Sequence, residues 1–360
     1  MANMLFIAPS LSIGGASKML TFVAESMSAR GHNVCIVNLK STQNVTDFER
    51  TISKKICVKS ISSKGQKGQI LEIKKIAKVF GAQIIIGFTN YPNLYARIVG
   101  AMLGIPSIMS ERGDPVKTQG YTLKSKIALF LINRSSGGVF QTEGARDFYG
   151  RGLRKRGTVI PNPIFIDGEI PLVPFEGREK TIISVGRLDN IQKRYDVMLD
   201  AFKEFSQKHP EYVLKLYGKG ADEENIRTWA KERDLSDKVR FMGLTTKPMQ
   251  DIASDGMFVI TSDYEGISNS LLEAMAVGLP CVSTDHTPGG ARLLIRPYEN
   301  GLLAPIGDAS AIAQAMCEFA ENPDLAKKCG EAAKDVVNRF SPTKIIDAWE
   351  TYILSYLRKK

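Results

Sequence analysis

The sequence predicts an α/β protein built from two Rossmann-like, doubly wound domains in series. Three observations carry this expectation. A chain of 360 residues is long for one ordinary domain and natural for two of about 150–200 residues. Short apolar runs alternate with amphipathic segments, the pattern of parallel strands joined by right-handed helical crossovers. That alternation stops at a proline-rich stretch and then begins again.

In the first half, Met4–Ala8, Asn33–Leu39, Gln83–Gly87, Ser107–Ser110 and Gly138–Gln141 are expected as buried strands. Helices are expected near 15–30, 66–80, 91–103, 121–134 and 142–150. Pro161-Asn162-Pro163, then Pro171, Pro174 and Gly177, interrupt the pattern. The first domain is therefore placed at 1–162 and a linker at 163–180. The second domain, 181–340, is expected to hold strands at Thr181–Val185, Tyr212–Tyr217, Val239–Met242, Met257–Thr261 and Pro280–Ser283. Helices are expected near 193–208, 222–234, 247–254, 270–277, 308–320 and 324–338. In the last segment, 341–360, one side of Thr343–Leu357 carries Ile345, Ile346, Trp349, Tyr352, Ile353 and Tyr356. It is expected as a helix crossing back to the first domain.

With 43% hydrophobic and 24% charged residues, each half has enough apolar material for a core. No apolar run approaches the roughly 18–20 residues that span a bilayer. The opening MANMLFIAPS lacks a basic n-region and a cleavage site, so a cytoplasmic protein is expected. Cys35, Cys57, Cys281, Cys317 and Cys329 form no C-x-x-C pair, and His32, His209 and His286 are the only histidines. That inventory fits buried thiols and argues against a His-rich metal site; no metal or cofactor is expected. Residues 1–160 hold 23 Lys and Arg against 8 Asp and Glu, a net of +15, whereas the remainder carries −5. The asymmetry points to an anionic partner for the first half (a membrane surface, a phosphorylated acceptor or nucleic acid) or to a solvated basic face. Tyr121–Arg134 and Gly65–Phe80 pair apolar residues with lysines, as interfacial helices do, although the stripe of Tyr121–Arg134 fits an ordinary core-facing helix almost equally well. No nucleic-acid module and no interleaved exposed aromatics accompany the basic half.

Doubly wound sheets bind ligands in the loops that follow their strands. The first such loop is Ser12-Ile13-Gly14-Gly15-Ala16-Ser17, where paired glycines admit a ligand to the backbone or simply make a tight turn. The second runs from Gly186-Arg187 to Lys193; a fork donor and a point charge near a helix start suit a diphosphate, against the alternative of two solvated cations. The third is Glu265-Gly266-Ile267-Ser268-Asn269-Ser270, with Glu273 eight residues after Glu265. Helix-start amides there can cradle phosphate or sugar hydroxyls. Ser270 and Glu273 also satisfy the S-x-x-E capping box. The fourth, Tyr217-Gly218-Lys219-Gly220 with Gly243-Leu244 a strand later, offers either plain turns or a nucleobase face.

Together, Gly14-Gly15, Gly186-Arg187 with Lys193, Glu265-x7-Glu273 with Glu-Ala-Met, Pro161-Asn162-Pro163 and Asn300-Gly301-Leu302-Leu303 resemble glycosyltransferase family 4, of the GT-B architecture. The likeness extends over essentially the whole chain. It implies two domains facing across a cleft, with the acceptor on the first and a nucleotide-diphosphate sugar on the second. It also implies metal-independent transfer with retention of configuration, of a hexose or N-acetylhexosamine from a UDP-sugar in bacterial polysaccharide synthesis. By the same resemblance Arg187 and Lys193 neutralise the diphosphate, Glu265 contacts the sugar, Glu273 holds the ribose, and the backbone at Ile267–Ser270 binds phosphate or sugar. The acceptor side is expected to be a saccharide, lipid-linked, at an anionic membrane. Two departures stand out. No histidine follows His32 in the first domain, where Ser110-Glu111-Arg112-Gly113-Asp114-Pro115 follows a strand; either Glu111 or Arg112 faces substrate there, or the three charges form a local salt bridge. Arg194 stands where the family pattern has a small residue. A sugar-nucleotide epimerase or phosphorylase of the same architecture is the alternative enzyme, and a basic binding protein the alternative outside catalysis.

Overall fold

Isoleucine-rich runs such as Ile84-Ile85-Ile86 are fully buried, as expected of parallel strands covered on both faces. A computed structural model describes residues 1–11, 15–40, 52–118, 120, 122–166, 168–171 and 173–357. The chain divides into two compact units, Met1–Asn162 with Thr343–Lys360, and Pro163–Pro342.

Among the described residues, the first unit has a seven-stranded sheet: β1 Asn3–Ala8, β2 Asn33–Asn38, β3 Cys57–Ser60, β4 Ile84–Phe88, β5 Ser107–Ser110, β6 Gly137–Phe140 and β7 Gly157–Val159. The order is β3-β2-β1-β4-β5-β6-β7, and every pairing is parallel. The second unit repeats the design with β8 Thr181–Val185, β9 Val213–Tyr217, β10 Val239–Gly243, β11 Met257–Ile260, β12 Cys281–Thr284 and β13 Leu302–Ala304. Its order is β10-β9-β8-β11-β12-β13, again all parallel. The strand order reverses between β1 and β4 in one sheet and between β8 and β11 in the other. At such a switch point the two flanking loops leave in opposite directions and open a crevice above the strand ends.

The strands β3, β7 and β13, not expected from sequence, are edge or near-minimal segments of three or four residues. The helix expected near 193–208 is two, Asn190–Lys193 and Tyr195–Lys208, broken where Arg194 takes left-handed backbone angles. The stretch 163–180, expected as a linker, packs within the second unit. Ile164 is buried there, and the Arg178 guanidinium donates to the carbonyls of Ala253 and Val277 at 2.8 and 2.7 Å.

The helix Pro342–Ser355 completes the first unit's core with Ile345, Ile346, Trp349 and Ile353. Trp349 stacks on Phe88 with centroids 5.6 Å apart and planes 11° apart. The Tyr352 hydroxyl accepts the Gly138 N–H at 2.8 Å, and Glu350 pairs with His32 and Arg30. Removing a fully buried indole leaves a cavity, so Trp349→Ala should cost about 3–5 kcal/mol in chemical denaturation followed by circular dichroism. Trp349→Phe, which keeps a ring on Phe88, should cost less than half as much; equal stability of the wild type and Trp349→Ala would show that this helix is not part of the core.

Candidate functional site

The loop leaving β8 is shaped by backbone packed on backbone. The Gly186 N–H donates to the Tyr217 carbonyl at 2.9 Å, extending the ladder one residue beyond the strand. Gly218, at φ +142°, lies so close that an added Cβ would sit 1.8 Å from the Gly186 carbonyl oxygen, and one on Gly220 would sit 2.0 Å from that of Leu188. Only glycine permits that approach. Asp189 then caps the short helix Asn190–Lys193, accepting the Ile191 N–H at 3.1 Å.

This turn points Lys193 inward. Its ammonium pairs with the Glu265 carboxylate, and the two side chains are only 14% and 13% exposed. A Cβ on Gly186 would lie 3.3 Å from Lys193 Nζ, so the cation rests against the Gly186 backbone. The Ser262 hydroxyl donates to the same Glu265 oxygen at 3.2 Å. Arg187, by contrast, stands at the rim, 64% exposed, with Asp189 at 3.2 Å and Gln192 Oε1 at 3.1 Å. Of the two cations expected to bracket a diphosphate, one is inside and one is at the edge.

The loop after β11 is tied to the first by several bonds. Thr261 Oγ1 donates to the Lys193 carbonyl at 2.8 Å, Gln192 Nε2 to the Tyr264 carbonyl at 3.0 Å, and the Asp263 N–H to the Gln192 carbonyl at 3.0 Å. The Glu265 N–H donates to the Thr287 carbonyl at 2.8 Å. A second backbone contact fixes Gly266, whose carbonyl oxygen would lie 1.7 Å from a Cβ on Gly290. Ile267 is buried, and Ser268 caps the helix Asn269–Ala276 by accepting the Leu271 N–H at 3.3 Å. The Ser270–Glu273 capping box is therefore corrected: the helix begins before Ser270, whose hydroxyl instead meets that of Ser268 at 3.1 Å. Glu273 lies in the second turn, lining a shallow crevice with Pro163, Phe165 and Asn269. Leu244, beyond the end of β10, is 71% exposed at the same edge of the sheet.

Sequence reasoning passed over His286, which is buried next to Gly290 at the end of β12. Burial pushes its imidazole below the ordinary histidine value, opposed by the Glu265 carboxylate. A lone histidine in a turn carries no periodic signal that would have revealed it. The metal-capable group among the described residues is His209, Cys317 and Glu321, whose ligand atoms lie within 4.8 Å of one another. It sits where the helix Tyr195–Lys208 ends, at the opposite edge of the sheet from the loops described here.

In the first unit, Gly15 opens the helix Gly15–Ala29, while Ser12, Ile13 and Gly14 lie outside the described residues. Glu111 is built into the scaffold. Its carboxylate is buried and accepts the Tyr149 hydroxyl at 2.7 Å and the N–H groups of Arg112 and Gly113 at 3.0 and 3.2 Å. Burial raises its pKa against those bonds and lowers that of Arg112 to about 9. Arg112 donates to the Ile160 carbonyl at 3.0 Å and lies over the Trp349 ring. At this unit's own switch point a cavity of about 510 Å³ opens among Pro9, Lys40, Gln66, Gln69, Thr89 and Tyr91.

Residues 170–336 match the family model described as "Glycosyl transferases group 1". An uncharacterized glycosyltransferase of Haemophilus influenzae is 23% identical over 96% of this chain and 98% of its own length. The N-acetylgalactosamine-N,N'-diacetylbacillosaminyl-diphospho-undecaprenol 4-alpha-N-acetylgalactosaminyltransferase of Campylobacter jejuni is 26% identical over 79% of this chain and 80% of its own. The crystal structure of Anabaena HepE in complex with UDP superposes with a TM-score of 0.84 at 18% identity, covering 99% of this chain and 100% of that one. The last comparison identifies the fold as GT-B, two Rossmann-like units.

Two glycines separate backbone overlap from backbone strain. Gly243, at φ +75°, has nothing within 4 Å of a would-be Cβ, whereas Gly218 faces the Gly186 carbonyl. Gly243→Ala should cost about 1 kcal/mol in urea unfolding, and Gly218→Ala should cost at least about 2–3 kcal/mol, because a main-chain atom must move. Equal losses would mean that the Gly186 loop is not held by this contact.

Proposed function

We propose that this group 1 glycosyltransferase moves a hexose or N-acetylhexosamine from a UDP-sugar to a saccharide acceptor, with retention, in bacterial polysaccharide or glycan biosynthesis. The observation that carries the reading is the convergence of Gly186, Lys193 and Glu265 at the β8/β11 switch point. A departing diphosphate needs positive charge already in place, and a sugar with oxocarbenium character needs a carboxylate and hydroxyl acceptors nearby. Lys193, Arg187 swinging in from the rim, and the first-turn amides of the helix Asn269–Ala276 supply the charge. These groups take the part a metal plays in other transferases, and no metal enters the proposed step.

Glu265 then orients the sugar and Glu273 the ribose, with Gly218 and Leu244 beside the base. In the free protein Lys193 and Glu265 neutralise each other, and the donor displaces that contact. The leaving phosphate oxygen accepts the acceptor hydroxyl's proton on the face where the new glycosidic bond forms, so no separate base is required. The UDP held by HepE and the undecaprenol-linked substrate named for the Campylobacter enzyme support a UDP-sugar and a lipid-linked acceptor respectively.

The acceptor side falls to the first unit, through the cavity at its switch point and its basic surface. On the helix Leu123–Ile132, Leu123, Ile127 and Phe130 are 74%, 53% and 56% exposed, beside the exposed Lys124 and Lys126. The other side of the helix packs Leu129 and Ile132 on the core, and Leu131 is half-buried; Tyr121 lies outside the described residues. An exposed apolar row flanked by lysines suits the interface of an anionic bilayer, where each basic residue contributes about 1 kcal/mol. No helix among the described residues is long and apolar enough to cross a membrane.

Two outcomes follow. Across a panel of nucleotide sugars, one UDP-sugar should be consumed, and Lys193→Ala should lower its kcat/KM at least ~100-fold, the loss expected for one charged donor in a dry site. Unchanged kinetics would remove Lys193 from the diphosphate. Sedimentation with vesicles should show binding that rises with anionic lipid, falls with salt and weakens in a Lys124→Ala/Lys126→Ala variant; equal binding to neutral vesicles, or none at all, would leave a soluble acceptor.

A further inference from the structure

The Lys193–Glu265 contact has a second ion pair beside it. Arg194, the next residue, extends its guanidinium across to Asp263, two residues before Glu265, with Nη1 at 3.1 Å from each carboxylate oxygen. On its other edge Nε and Nη2 hold Asp196 at 3.0 Å. Consecutive cations on one loop thus meet alternate carboxylates on the other, like two rungs of a ladder. Arg194 occupies this place at φ +52° and ψ +53°, left-handed angles that glycine adopts freely and a branched-out side chain does not.

We infer that the Arg194–Asp263 pair is the permanent rung, holding the two strand-end loops in register while a donor diphosphate takes over Lys193. This rests on the nucleotide-sugar reading given above. The two rungs differ in what they must do. A phosphate oxygen approaching Lys193, which is 14% exposed, has to replace the Glu265 carboxylate, so the first rung opens on binding. Glu265 then keeps the Ser262 hydroxyl and its own backbone bond to Thr287. The second rung has no such exchange to make. Its pairing with Asp196, and with Asp263, raises the guanidinium pKa above the ordinary arginine value in spite of burial, so it stays charged throughout. Burial alone would raise the Asp196 carboxyl, yet the bond from Arg194 holds it below its ordinary value.

Arg194 is therefore a positioning residue, acting through Lys193 and Glu265 rather than on the substrate. Small displacements of such groups are costly to the chemical step, on the order of a hundredfold per ångström. Arg194→Gly removes the rung and relaxes the backbone, so the fold should survive it. The test measures UDP affinity by calorimetry, turnover of UDP-glucose, UDP-galactose and UDP-N-acetylglucosamine, and the melting temperature. For Arg194→Gly and Asp263→Asn, kcat should fall at least ~10-fold while UDP affinity changes less than ~3-fold and melting stays near wild type. The double variant should be no worse than the worse single one, because both remove one interaction. Arg194→Lys, with charge but no fork, should fall between. Wild-type kcat in both single variants would overturn the inference; so would additive losses, or losses of kcat, affinity and melting temperature in proportion, which describe a merely structural tie. A wild-type chain that neither binds UDP nor consumes a UDP-sugar would instead overturn the functional reading and take the inference with it.

Discussion

At the carboxyl edge of the second sheet, the side-chain chemistry depends on two places where one main chain touches another with no room for a Cβ. Gly218 presses on the Gly186 carbonyl and Gly290 on the Gly266 carbonyl. These contacts fix the paths of the loops after β8 and β11, which flank the point where strand order reverses. Once the paths are fixed, Lys193 has one place to go, against the Gly186 backbone and onto Glu265. A charge-balanced pair in a nearly closed site is tolerable in the free protein, where each ion compensates the other's desolvation. In the proposed reaction a diphosphate, of the same sign of charge as the carboxylate, would take the place of Glu265 on Lys193.

The first unit uses the same fold differently. Its switch point opens a largely apolar cavity, lined by Pro9, Leu39, Tyr91, Pro92 and Tyr95, with Lys40 the one charged residue among the described residues of its walls. Its acidic Glu111 is consumed by scaffolding, held by the Tyr149 hydroxyl and two backbone N–H groups. The surplus of basic residues is left to the surface, next to an apolar helix face that the core does not cover. One sheet topology thus carries a half-buried, charge-compensated ion pair in one unit and an exposed, lysine-flanked apolar face in the other.

The fold was legible because central strands such as β1, β4, β8 and β11 are predominantly apolar runs, four to six residues long, that are buried almost throughout. Cys57–Ser60, Gly157–Val159 and Leu302–Ala304 escaped notice because three or four residues at a sheet edge show no periodicity. At the site, Gly186, Arg187, Lys193 and Glu265 stand out by their position after strands. Arg194 registered only as an odd residue, Asp263 not at all, and His286 only in the histidine count, since their surroundings are made by contacts between separate loops, 69 residues apart for Arg194 and Asp263. The capping error at Ser270 has a similar cause. Ser268 and Ser270 are both plausible caps in sequence, and the backbone angles at Ser268, φ −73° and ψ 114°, decide between them.

The central claim is that the loops after β8 and β11 take up the nucleotide diphosphate. Amide hydrogen exchange with and without saturating UDP addresses it directly. The account expects slowed exchange across residues 186–194 and 262–272, where backbone amides and the Lys193–Glu265 pair meet the phosphates. Slowing confined to residues 88–95 of the first unit, or no change anywhere, would contradict it.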